Sequence, residues 1–163
     1  MSVFFRRWVP GLLAVVMVAA WCSIGLAQAN DPANGTWKLN QAKSKFSPGP
    51  APKESTVTIE AAGPGRKVSV EGVAGDGTAL KWGYSGNFDS KDIRITGNNP
   101  DADIVMLKRL SPTTTRSTNK KDGKRTLVNG ISVSADGKTL TVAQSGVNGK
   151  GQTVKNTLVF DKQ

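Results

Sequence analysis

The chain has 163 residues, enough for one domain with a tail and short of two full domains. Lys and Arg number 22 against 12 Asp and Glu, a formal charge of +10, with 18 Gly, 8 Pro, one Cys and no His. The absence of His excludes a Ser-His-Asp triad, a Cys-His pair, a His-containing zinc site and an imidazole pH switch, and with them most familiar hydrolase machinery.

Residues 1–29 read as a secretory signal peptide. Arg6 and Arg7 precede an apolar run from Val9 to Leu26, and Ala27-Gln28-Ala29 puts small residues at the two positions a signal peptidase reads. Cleavage after Ala29 leaves a domain of residues 30–163 that begins Asn30-Asp31-Pro32. The alternative is an uncleaved anchor, because the run is close to the roughly 20 residues that span a bilayer. The single Cys, Cys22, follows the bulky Trp21 and leaves with the signal. The exported domain then has neither a disulfide nor a thiolate metal site, and its stability rests on burial and backbone pairing.

From residue 35 onward, turn signals recur roughly every 8 to 15 residues, the spacing of an all-β meander. Asp76-Gly77, Asp122-Gly123 and Asp136-Gly137 are hairpin-turn pairs. Gly63-Pro64-Gly65, Gly97-Asn98-Asn99-Pro100 and Asn148-Gly149 punctuate the remaining gaps. The segments predicted as strands are 35–40, 54–61, 66–73, 79–86, 91–96, 102–110, 113–120, 125–134, 138–146 and 151–161.

Within them apolar residues alternate, as a half-buried strand requires: Val57 and Ile59; Val68 and Val70; Leu80, Trp82 and Tyr84; Ile93 and Ile95; Leu127, Ile131 and Val133 around Asn129. The stretch 104–107 is apolar on both faces, and its buried face stays open. The best helix candidate is the short stretch from Asn40 to Phe46, which ends against Ser47-Pro48-Gly49-Pro50.

Short links between successive antiparallel strands predict an all-β, up-and-down antiparallel β-barrel of roughly 8 to 10 strands, which hides its edges by closure. A sandwich is the second choice, against which stand the missing Cys pair and the hairpin-short links. A membrane-embedded barrel would need a tall apolar outer band, whereas the faces opposite the apolar sets carry Thr56, Thr58, Lys67, Ser69, Glu71, Lys81, Thr139 and Thr141.

Gly35-Thr36-Trp37 resembles the Gly-x-Trp opening of lipocalins and of the related intracellular fatty-acid-binding proteins. The longer stretch through Lys43-Ser44-Lys45-Phe46, with Asp136-Gly137-Lys138-Thr139-Leu140 near the end, is similar to small exported bacterial lipocalin-like proteins of the calycin superfamily. The resemblance implies that Gly35 and Trp37 build a barrel floor, with the indole lying under a basic side chain of the last strand. Lys155 and Lys162 are both eligible for that place.

The chain departs from the fatty-acid-binding proteins in three ways. Asn40 to Lys53 is too short for their helix-turn-helix lid, their Arg-x-Tyr carboxylate grip has no match, and Tyr84 is the only tyrosine. The second lipocalin motif, Thr-Asp-Tyr, is also missing.

Trp82 and Tyr84 share a strand face and, with Met106, are the candidate lining of a ligand cavity; in each case plain core packing is the competing reading. Lys120, Lys121, Lys124 and Arg125 flank the Asp122-Gly123 turn as a positive knob suited to anionic lipid or cell-wall polymer. No aromatics interleave with these cations, which disfavours nucleic acid. Asp101 with Asp103, and Asp89 with Asp92, lack the spacing of an EF-hand, so no metal or other cofactor is expected.

The expectation is therefore an exported, periplasmic or secreted, non-enzymatic protein that is not embedded in a membrane once its signal is cleaved. It would bind or carry an apolar or amphipathic small molecule in a barrel cavity. The alternative is an envelope interaction protein that uses the basic hairpin.

Overall fold

Turn chemistry and alternation produce the strands of the computed structural model, which describes residues 31–163; the predicted signal peptide lies outside the described residues. Chain order runs β1 (Gly35–Leu39), a 3-10 turn (Gln41–Lys43), β2 (Glu54–Ala62), β3 (Gly65–Val73), β4 (Ala79–Asn87), β5 (Ile93–Arg94) and β6 (Thr96–Gly97). It continues through β7 (Ile104–Ser111), β8 (Thr114–Lys121), β9 (Lys124–Val133), β10 (Thr139–Val147) and β11 (Thr153–Lys162). At the tightest hairpin, between β8 and β9, Asp122 and Gly123 have φ of 50° and 74°, which matches a turn with positive φ at both central residues. Asp76 and Asp136 each accept a backbone N–H two residues on, from Thr78 and Lys138, which ties their hairpins shut.

All strand pairs are antiparallel, and the sheet order β5-β7-β8-β9-β10-β11-β1-β2-β3-β4-β6 is a meander whose last strand returns to pair with its first. The two outer members of that order are neighbours in the chain. The segment 93–97 bonds to β7 through Ile93 and Arg94 and to β4 through Thr96 and Gly97, bridging the remaining gap. The result is a nearly closed, all-β antiparallel barrel. Eleven strands replace the roughly 8 to 10 expected because the segment predicted as a single strand at 91–96 divides its pairing between two neighbours. The predicted helix at Asn40 to Phe46 contracts to the 3-10 turn, capped by the Asn40 side chain on the Lys43 N–H.

The core sits inside the barrel in two clusters. One gathers Trp37, Ile59, Val68, Val70, Val133, Leu140 and Phe160, and the other Ile93, Ile95, Ala102, Val105 and Leu107. Trp82 and Tyr84 pack against both and join them. The doubly apolar stretch of β7 is settled by burial: Val105 and Leu107 are buried, while Ile104 and Met106 on the other face are only half-buried. Among the described residues no helix is long and apolar enough to cross a membrane.

Candidate functional site

The barrel has a closed end and an open end, and the closed end is built first from the entry to β1. Trp37 is fully buried, its Nε1–H donates to the Ala33 carbonyl at 2.8 Å, and Lys162 Nζ stands 5.0 Å from the ring centroid. Lys162 rather than Lys155 is thus the basic partner of the indole. Gly35 has φ of 131°, and a Cβ there would come within 2.9 Å of Lys162 Cε, so this position suits a residue with no side chain.

Beside the indole lies a charged cluster. Asp31, just ahead of β1, accepts the Ala33 N–H on Oδ1 and, on Oδ2, Arg66 Nη2 at 3.2 Å together with a close contact from Arg109 Nη2. Arg66 Nη2 also donates to Thr115 Oγ1 at 3.1 Å. The Phe88 ring lies against both guanidiniums, with centroid distances of 4.8 Å to Arg66 and 4.1 Å to Arg109. Burial by itself raises the Asp31 carboxyl. The hydrogen bonds from Arg109 and Ala33 and the charges of both arginines outweigh it and hold the group below its ordinary value. Burial lowers the Arg66 guanidinium against the pull of Asp31, yet a guanidinium stays charged.

Above this floor the interior holds a cavity of about 230 Å³. Its walls are apolar, from Val57, Ile59, Val68, Val70, Ile95, Val105, Leu127, Val142, Leu158 and Phe160, with Trp82 and Tyr84 among them. The two rings are near-parallel, at 21° and 6.4 Å between centroids. Burial pushes the Tyr84 phenol up to about 12, against the lowering effect of Arg66, so it keeps its proton at any physiological pH. Polar groups enter at a few points: Arg66 at the floor, then Ser117, Asn119, Asn129 and Gln144. Asn129 Nδ2 donates to Ser117 Oγ at 2.9 Å, while its Oδ1 is buried with no partner.

The cavity leads into a wider mouth of about 590 Å³ between Pro48, Pro50, the 74–78 hairpin, Asn98–Asp101 and the 148–152 hairpin. Pro52, Leu80, Asn99, Pro100, Gln144 and Leu158 line both spaces. The inner chamber falls below the roughly 300–1,000 Å³ of ordinary small-molecule sites, so a ligand of that size would extend into the mouth.

Trp82 and Tyr84 therefore lie where the alternation put them, on the cavity wall. Met106 does not: Val105 takes the inward position on β7, and Met106, one residue on, faces the other way. The basic hairpin stands at the open end. There Asp103 receives the Asp122 N–H, and Asp101 receives the Gly149 N–H. Lys120 is bonded to Asp92 at 2.7 Å, whereas no described carboxylate pairs with Lys121, Lys124 or Arg125. No three His, Cys, Asp or Glu side chains gather as a metal site among the described residues.

Sequence reasoning missed Asp31, Arg66, Ser117 and Asn119. One signal was available, since Arg66 alternates with Val68 and Val70, and a charge on an otherwise apolar strand face calls for a buried partner. Compared with known proteins, the chain matches no family model and no curated sequence.

Proposed function

We propose that this chain is an exported, lipocalin-like binding protein that holds an apolar or amphipathic small molecule inside its barrel. The observation that carries this reading is the apolar-walled cavity, sealed below by Trp37 and the Asp31 cluster and continuous with a mouth at the other end. The Gly35-x-Trp37 entry and the meander topology support the lipocalin-like kinship. Affinity in such a site comes from desolvating the apolar part of the ligand against preformed walls, with no chemistry asked of the protein. Native mass spectrometry of protein purified from its own compartment is expected to show a bound small molecule. A consistently empty mass would count decisively against the carrier role.

A second reading is favoured by the position of the basic hairpin. Its unpaired cations, Lys121, Lys124 and Arg125, ring the same end as the mouth, so docking on an anionic surface would present the opening to it. Each basic residue near an anionic membrane contributes about 1 kcal/mol. Replacing all three with Gln is then expected to weaken binding to anionic vesicles by about 100-fold at low salt. Wild-type binding that is weak, or indifferent to salt, would remove this reading.

A further inference from the structure

We propose that the cavity is built for an anionic amphiphile, an apolar chain carrying one carboxylate, bound head-down with the headgroup against Arg66 at the closed end. This rests on the carrier reading and specifies its ligand class.

The first ground is a charge count. Arg66 and Arg109 share a single carboxylate, Asp31, and no other described carboxylate is in ion-pair distance of either. The closed end therefore keeps one uncompensated positive charge. Arg109 is about a quarter exposed and can be balanced by solvent, but Arg66 is only 2% exposed and borders the cavity. The unbalanced charge is thus felt inside the barrel, where low polarity strengthens its pull on an anion.

The second ground is an unused donor. Arg66 spends Nη2 on Asp31 and Thr115, whereas its Nε–H is buried with no partner. Native structures rarely leave such a donor unmatched. The guanidinium is also held in place, pinned by Asp31 and Thr115 and faced by Phe88. A fixed guanidinium fork recognises a planar carboxylate better than a point cation does. The protonated Tyr84 hydroxyl and Ser117 supply further donors along the wall.

The third ground is shape. From Arg66 the inward positions of β3 continue with Val68 and Val70, a rise of about 13 Å along the strand, faced by Trp82 and the apolar residues of β2 and β11. A cationic head would meet an unbalanced like charge, and a neutral head would leave Arg66 uncompensated.

Titration calorimetry with decanoate, decanol and decyltrimethylammonium tests this on the unaltered protein. Decanoate is expected to bind at least about tenfold more tightly than decanol, and the cation not measurably. Arg66→Gln, checked for folding by circular dichroism, is expected to erase the preference for decanoate while decanol binding changes less than about threefold. The buried arginine Nε–H resonance of the 15N-labelled wild type is expected to shift with decanoate and not with decanol, a readout that does not depend on any variant folding. If none of the three compounds binds, the carrier reading fails. If all bind alike, if decanol is preferred, or if the Nε–H signal ignores decanoate, the carrier survives and the head-down anion site is overturned.

Discussion

Asp31→Ala is expected to destabilise the folded chain by about 3 to 5 kcal/mol, the usual cost of removing one partner of a buried ion pair. The reason lies in what is left behind. Arg66 is 2% exposed and would lose its only counterion, while Arg109 and Arg66, both against Phe88, would repel one another without the carboxylate between them. Chemical denaturation of wild type and variant at neutral pH measures the loss. A change under about 1 kcal/mol would mean that water already solvates the cluster. Replacing the pair together, as Asp31→Leu with Arg66→Met, should recover most of the stability, because an apolar pair of similar volume removes both desolvation costs.

The same carboxylate gives the stability a pH dependence of definite sign. Asp31 is held below its ordinary value of 3.8 in the folded chain, so the unfolded chain binds the proton more readily. Its contribution is full above the ordinary carboxyl range and disappears as the pH falls through the lowered folded value. Asp76, Asp136 and Asp161, also lowered by hydrogen bonds to neighbouring groups, add to the acid slope in both proteins. The difference between wild type and Asp31→Ala isolates the buried carboxylate: it should be constant from neutral pH down to about 5 and shrink below about 4.

Trp37→Ala is the second large effect, expected to cost about 3 to 5 kcal/mol, as truncations of fully buried large aromatics do. The indole is the largest side chain with no exposure, contacts the cluster of Ile59, Val133, Leu140 and Phe160, and fills the end where β1 and β11 meet. Trp37→Phe keeps a ring but leaves the Ala33 carbonyl without its donor, so it should fall between wild type and alanine. Lys162→Met, which keeps the stem and removes the charge over the ring, should cost no more than about 1 kcal/mol. Equilibrium denaturation across the three variants checks the order. A Lys162→Met loss equal to that of Trp37→Ala would show that the cation, and not the packed indole, holds the floor.

Much of the barrel was legible because its causes are local. Alternation in Val57–Ile59, Val68–Val70 and Leu80–Tyr84 follows from the two-residue period of a strand, and the Asp-Gly turns follow from the backbone freedom of those two residues at positive φ. Where a stretch was apolar on both faces the pattern had nothing to discriminate, so Met106 was placed on the cavity wall that Val105 occupies. The strand predicted at 91–96 was legible as extended chain, but its division between β4 and β7 depends on the width of a gap that exists only after the sheet curls.

The sequence by itself determined an all-β meander with its turns, its first-strand Trp37 and a basic hairpin at Asp122-Gly123, because each is a property of neighbouring residues. Only the tertiary structure decided that Lys162 covers the indole, that the hairpin cations stand at the open end, and that Asp31, Arg66 and Arg109 meet at the closed one. Asp31 lies 35 residues from Arg66 and 78 from Arg109 in the chain. Which charges share a buried corner is set by the register and closure of the whole sheet, and no period read along one strand carries that information.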